Sequence, residues 1–151
     1  MTDRRVIHST LSLERVYDAS TGRVFAAWAD PAAKARWFSP SGPHELEFRV
    51  GGREVNRGRN PDGQVLTFES HYHDIVADQR IVYTSTLSVG ENVVTVSLTT
   101  VELTPDGDST RLVLTEHGAF LDGHEQPAWR EQGTSDWLDA LGAELRDRPD
   151  A

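Results

Sequence analysis

The sequence predicts an α+β domain in which a curved antiparallel sheet wraps around one long C-terminal helix. Three observations point there. Successive long segments rich in Val, Thr, Tyr and Ile fill the middle of the chain, separated by short turns; one long helical pattern follows at 127–146; and two short helical patterns stand close behind the first strand. A sheet with one apolar face and a helix with one apolar stripe bury both most economically against each other.

In chain order, residues 7–16 alternate, with Ile7, Ser9, Leu11 and Leu13 on one parity and His8, Thr10, Ser12 and Glu14 on the other, as in a half-buried strand. Tyr17-Asp18-Ala19-Ser20 breaks it. Ser20 or Thr21 can cap a helix whose apolar face is Val24, Phe25, Ala27 and Trp28, and Asp30-Pro31 stops that helix. Pro31 starts a second short helix, 31–37. The proline-punctuated loop 37–43 carries Trp37 and Phe38. Segments 46–48 and 53–57 flank Val50-Gly51-Gly52, where two glycines with positive φ are expected to make a hairpin, and Asn60-Pro61-Asp62-Gly63 is the next turn. Segments 66–76, 80–88, 93–104 and 110–116 read as four long strands, giving a meander of about six. In the last helix Trp129, Gly133, Trp137, Leu141 and Leu145 are spaced by four and are expected to form the buried stripe.

The 151 residues read as one domain, 1–151, with a core of about 6–146 and frayed ends. A chain of this size buries roughly 68–70% of its unfolded surface. Hydrophobic residues are 37% and charged residues 26%, so a soluble globular domain is expected rather than a disordered or fibrous chain. The net charge of −9 argues against nucleic acid and anionic membrane surfaces as partners. No cysteine is present, which removes disulfides, thiolate metal sites and cysteine nucleophiles. The apolar run 24–29 falls far short of the ~20 residues that span a bilayer, and no signal-peptide core follows Met1; a cytoplasmic protein without membrane insertion is expected.

Nucleophile elbows, phosphate loops and dinucleotide fingerprints are absent. His71 and His73 share one parity of a strand, opposite to Leu66, Phe68 and Tyr72, and are expected to point outward with no metal site. Glu116, closing the last strand, shares the face of Leu112 and Leu114. A carboxylate there is desolvated and could act as a general acid or bind a ligand hydroxyl; alternatively, Arg49, Arg53 or Arg130 pairs with it. The aromatics Trp37, Phe38, Phe48, Phe68, Tyr72, Tyr83, Phe120, Trp129 and Trp137 suit a core and are also the candidate ligand-binding aromatics. A curved sheet around one helix leaves a concave gap, and Gly133 removes a side chain from it, so an internal apolar cavity lined partly by Tyr83, Trp129 and Trp137 is expected.

Several segments carry a family likeness: Phe25 to Pro31, Ala35 to Pro40, Phe48 to Arg53, Asp74 to Val76 with Arg80 to Tyr83, Thr110 to Glu116, Gly118 to Gly123, and Arg130 to Gly133 leading to Leu138 to Leu141. Together, from about Val6 to Leu145, they resemble START-like (SRPBCC, Bet v 1-like) proteins of the Hsp90 ATPase activator homologue 1-like (AHSA1) type, in their bacterial single-domain branch. The resemblance implies the helix-grip fold: about seven antiparallel strands around a C-terminal helix, with two short helices after strand one. It also implies a hydrophobic tunnel for lipids, polyketides or other apolar ligands, no cofactor, and relatives that are polyketide cyclases or aromatases. On matching positions, Trp37 and Phe38 would form the pocket rim, Tyr83 and Leu98 its floor, and Trp129, Gly133 and Trp137 its helix wall, with Leu114 and Glu116 also facing the ligand. The eukaryotic co-chaperones of that family add an N-terminal chaperone-binding domain, for which this chain has no residues left, so Hsp90 binding is not expected.

The leading expectation is a protein that holds an apolar or aromatic small molecule between sheet and helix. Two rivals stand beside it: a cyclase-like enzyme in which Glu116 with Tyr83 moves a proton, and a stress- or chaperone-associated interaction module with a filled core. Open sheet edges would allow a homodimer.

Overall fold

A computed structural model describes residues 4–40 and 42–148 of the chain. Ser41, in the proline-punctuated loop, and both chain ends lie outside the described residues.

Among the described residues one seven-stranded sheet carries three helices. The strands are β1 (Val6–Tyr17), β2 (His44–Leu46), β3 (Arg53–Arg59), β4 (Val65–Val76), β5 (Arg80–Val89), β6 (Asn92–Asp106) and β7 (Ser109–Leu121); the helices are α1 (Thr21–Ala29), α2 (Pro31–Phe38) and α3 (Pro127–Asp147). Every neighbouring pair is antiparallel in the order β1-β7-β6-β5-β4-β3-β2, so the first strand returns beside the last one. This is the helix-grip architecture, with the meander extended by β1 at one edge and the short β2 at the other.

The short helices begin where local chemistry dictates. The Ser20 hydroxyl accepts the Arg23 amide at 3.2 Å to cap α1, and the Asp30 carboxylate accepts the Ala33 amide at 3.0 Å to cap α2, whose first residue is Pro31. Two irregularities curve the sheet, one between Tyr72 and Asp74 in β4 and one facing Leu87 and Ser88 in β6; an extra residue on one strand bends it and increases its twist. The concave face closes on α3 through Leu112, Leu138 and Leu141, and the buried Tyr17 hydroxyl donates to the Leu138 carbonyl at 2.7 Å.

Three expectations need correction. The turn before β3 uses positive φ at Gly51 alone (+83°); Gly52 is required for a different reason, because a Cβ there would lie 2.0 Å from the Glu47 carbonyl oxygen. β2 spans only His44–Leu46 and leaves Phe48 outside it. β7 continues to Leu121, so Glu116 and Phe120 lie within a strand and not at its end or in a loop. Pairing with β1 explains the length, since each β7 residue from Thr110 to Leu121 has a β1 partner.

The buried stripe of α3 also differs. It consists of Arg130, Thr134, Leu138, Leu141, Gly142 and Leu145, while Trp129 is 64% exposed. A strict spacing of four advances about 40° per step around a helix of 3.6 residues per turn. The series 129, 133, 137, 141, 145 therefore winds off the contact face: its C-terminal members are buried and its N-terminal ones reach the edge.

Candidate functional site

That winding creates a groove. At the N-terminal half of α3, Trp129, Gly133 and Trp137 stand at the helix edge facing Asn56 and Gly58 of β3, Leu66 and Phe68 of β4 and Leu87 of β5, around an open groove of about 230 Å³. A Cβ added at Gly133 would meet nothing within 4 Å, so this glycine widens the groove and is not demanded by packing. Leu66, Phe68, Leu87, Trp129 and Trp137 are the aliphatic and aromatic members of the lining; Asn56, Glu125, Arg130 and Thr134 are the polar ones.

Sheet register sets what lies beneath. One concave row runs Phe68, Leu87, Thr95, Phe120 and Ile7 across β4, β5, β6, β7 and β1; four residues further along, a second row runs Tyr72, Tyr83, Thr99, Glu116 and Leu11. Arg130 of α3 drops between them. Its guanidinium donates to Glu116 at 3.2 Å and to Glu125 at 2.8 and 3.0 Å, and its carbon lies 5.4 Å from the Phe68 ring centroid. Glu116 also accepts from the Thr99 hydroxyl at 2.9 Å. Of the three arginines considered as its partner, Arg130 is the one the fold delivers. Burial raises the Tyr83 hydroxyl above the ordinary tyrosine range, and the Glu116 charge raises it further, so Tyr83 stays protonated and keeps an O–H that can donate.

The large internal cavity expected between sheet and helix is reduced to about 20 Å³, walled by Trp28, Trp37, Phe38, Phe68, Tyr83, Leu114, Glu116, Thr134, Trp137 and Leu138. Aromatic packing fills the rest: Phe38 and Trp137 have centroids 4.3 Å apart, and Trp28 and Trp37 are 4.9 Å apart. A further opening of about 280 Å³ beside β1, under the first turn of α3, is lined by Glu116, Phe120 and Glu131 among others.

The residues singled out from sequence thus divide. Phe68, Trp129, Gly133 and Trp137 line the groove; Trp37, Phe38, Tyr83, Leu114 and Glu116 line the small cavity with Phe68 and Trp137; Phe120 faces the opening beside β1. Trp37 and Phe38 are buried and are not a rim. Leu98, expected at the floor, is 40% exposed on the opposite face of the sheet, because the buried parity of β6 is that of Ser97 and Thr99. Phe48 packs between Phe25 and Tyr72, and the Tyr72 hydroxyl donates to Glu54; neither lines the groove, the small cavity or the opening beside β1. His71 and His73 are exposed, bonded to Glu69 and Thr84.

One buried cluster had no place in the sequence reading. Lys34 on α2 reaches Glu54 on β3, which also meets the His44 ring at 2.7 Å and accepts the Tyr72 hydroxyl at 2.7 Å. The ammonium lies 4.4 Å from the Phe38 ring centroid and 4.9 Å from that of Trp28. Burial lowers the Lys34 ammonium; burial alone would raise Glu54, but Lys34 and the bonds from His44 and Tyr72 outweigh it and hold the carboxyl low. The signal was present: Lys34 precedes Trp37 and Phe38 by three and four residues, which puts the chain's one lysine on the aromatic face of α2.

Among the described residues no helix is long and apolar enough to cross a membrane. A model of the family described as Activator of Hsp90 ATPase homolog 1-like protein matches residues 18–146. Similar solved structures include an uncharacterized protein from Rhizobium leguminosarum, 39% identical, with a TM-score of 0.92 over 97% of this chain and 99% of that one. Mll3558 from Rhizobium loti is 47% identical, with a TM-score of 0.88 over 93% of this chain and 99% of its own. CalU16 from Micromonospora echinospora, at 20% identity and a TM-score of 0.68 over 96% and 86% of the two chains, shares the fold. No curated protein matches the chain.

Proposed function

This chain belongs to the Activator of Hsp90 ATPase homolog 1-like family, and from that premise we propose that it binds an apolar or aromatic small molecule in the groove between α3 and the β3–β5 end of the sheet. The observation that carries this reading is the groove itself, with Phe68, Trp129 and Trp137 as its aromatic walls and an unfilled position at Gly133. Binding is driven by apolar burial, at about 25 cal/mol per Å² removed from water. A few polar groups orient the ligand, as in other concave sites. Titration with the neutral dye N-phenyl-1-naphthylamine tests it: saturable one-to-one binding that disappears in Gly133→Leu is expected, and equal binding by that folded variant rejects the groove.

A second reading, an acid/base enzyme of the cyclase kind, draws on Glu116 and Tyr83 lining one small cavity. It requires turnover of a bound compound that collapses in Glu116→Gln while affinity survives; affinity and turnover falling together would remove it.

A further inference from the structure

Phe68 and Trp137 line both the open groove and the small closed cavity, and their ring centroids are 5.9 Å apart. Thr134, which is buried, lines both spaces too, so these three side chains are the wall that the two share. The turn that precedes Trp137 carries no side chain at Gly133, where an added Cβ would meet nothing within 4 Å. Behind that wall the cavity is close to the size of one water molecule, and Tyr83 and Glu116 are among the residues that line it. Trp28 lines it too; its buried indole N–H has no hydrogen-bond partner among the described residues.

The charge around this end is lopsided. Arg130 is shared by Glu116 and Glu125, and Glu131 flanks the far side of Glu116 in the opening beside β1. A carboxylate ligand brought here would be desolvated against two carboxylates that already share one guanidinium. A hydroxyl meets the opposite situation. Glu116 accepts from Thr99 and Arg130 and, as a carboxylate, retains lone pairs for a further donor, while the ligand oxygen can accept from Tyr83 or Trp28.

We propose that the groove and the closed cavity form one bipartite site for a neutral hydroxylated aromatic compound, its apolar body against Phe68 and Trp137 and its hydroxyl beside Glu116 and Tyr83, and that this site rejects carboxylates. The inference rests on the groove being a ligand site and adds the chemical class of the ligand.

Calorimetric titration at pH 7 of the wild-type chain with 4-butylphenol, butylbenzene and 4-butylbenzoate separates the two claims. The phenol is expected to bind about tenfold more tightly than either of the others, the ratio that one hydrogen bond to a charged group supports. Tyr83→Phe and Glu116→Gln, each checked for folding by circular dichroism, are expected to narrow the phenol preference, and Glu116→Gln also to improve benzoate binding. Wild-type binding of butylbenzene or 4-butylbenzoate as tight as that of the phenol overturns the hydroxyl site and leaves the groove standing. Binding of none of the three overturns the groove reading, and this inference with it. An unchanged preference in both folded variants overturns the placement of the hydroxyl.

Discussion

The Lys34 ammonium and the Glu54 carboxylate meet at 3.0 Å with side chains only 1% and 3% exposed, tying α2 to β3 behind the aromatic layer. Neither group has water to fall back on. Removing one partner strands the other, and Lys34→Met or Glu54→Leu alone is expected to cost about 3–5 kcal/mol. The double variant is expected to recover part of that loss, since no buried charge is left unpaired, while the Tyr72 hydroxyl and the His44 ring still lose their acceptor. Urea unfolding of the four proteins checks it; single-variant losses below about 1 kcal/mol, the surface-pair range, contradict a desolvated pair.

The same carboxylate sets an acid limb. Burial pushes Glu54 up, but Lys34, His44 and Tyr72 pull its carboxyl from the ordinary 4.5 down to about 2. A group depressed in the folded state contributes stability that is complete above its unfolded value and fades as pH falls through the folded one. Stability is therefore expected to decline as pH drops from 4.5 toward about 2, and the decline to be shallower in Glu54→Gln. Unfolding midpoints from pH 7 to pH 2 measure this, and parallel curves for the two proteins would falsify it.

Gly133 should separate stability from binding. Its position in α3 is open and helical, so Gly133→Ala is expected to stabilise the fold by about 0.5–1 kcal/mol through lower backbone entropy in the unfolded chain. Gly133→Leu should fold equally well and lose dye binding. Thermal unfolding of both variants is the check; a drop in midpoint would mean that the helix edge is packed and not open.

Gly52 should behave in the opposite way. An added Cβ meets the Glu47 carbonyl at 2.0 Å and the Arg49 carbonyl at 2.8 Å, both backbone atoms that cannot step aside. Gly52→Ala is expected to destabilise by about 1–3 kcal/mol, whereas Gly58→Ala, which meets nothing within 4 Å, should not. Comparable denaturation midpoints for the two would remove the close-approach argument.

Alternation, capping residues and turns were enough to place β1, α1, α2, the long strands and α3, because each rests on contacts within a few residues: Ser20 with Arg23, Asp30 with Ala33, Pro31 at a helix start. The inward aim of Glu116 followed from the same local parity, since β7 alternates without a break. What needed tertiary structure was everything set by register between distant segments. Pairing with β1 made β7 long enough to carry Phe120. Parity left both faces of β6 open until α3 chose the side of Ser97 and Thr99, turning Leu98 outward. The mismatch between a spacing of four and 3.6 residues per turn moved Trp129 to the groove edge and put Arg130 against Glu116. Lys34 found Glu54 only when α2 folded over β3. The sequence by itself determined the elements and their hydrophobic faces, because those are short-range properties of the chain. The groove, the small cavity and the buried ion pairs Lys34–Glu54 and Arg130–Glu116 were decided by packing between elements far apart in sequence, where angle and register determine which side chains meet.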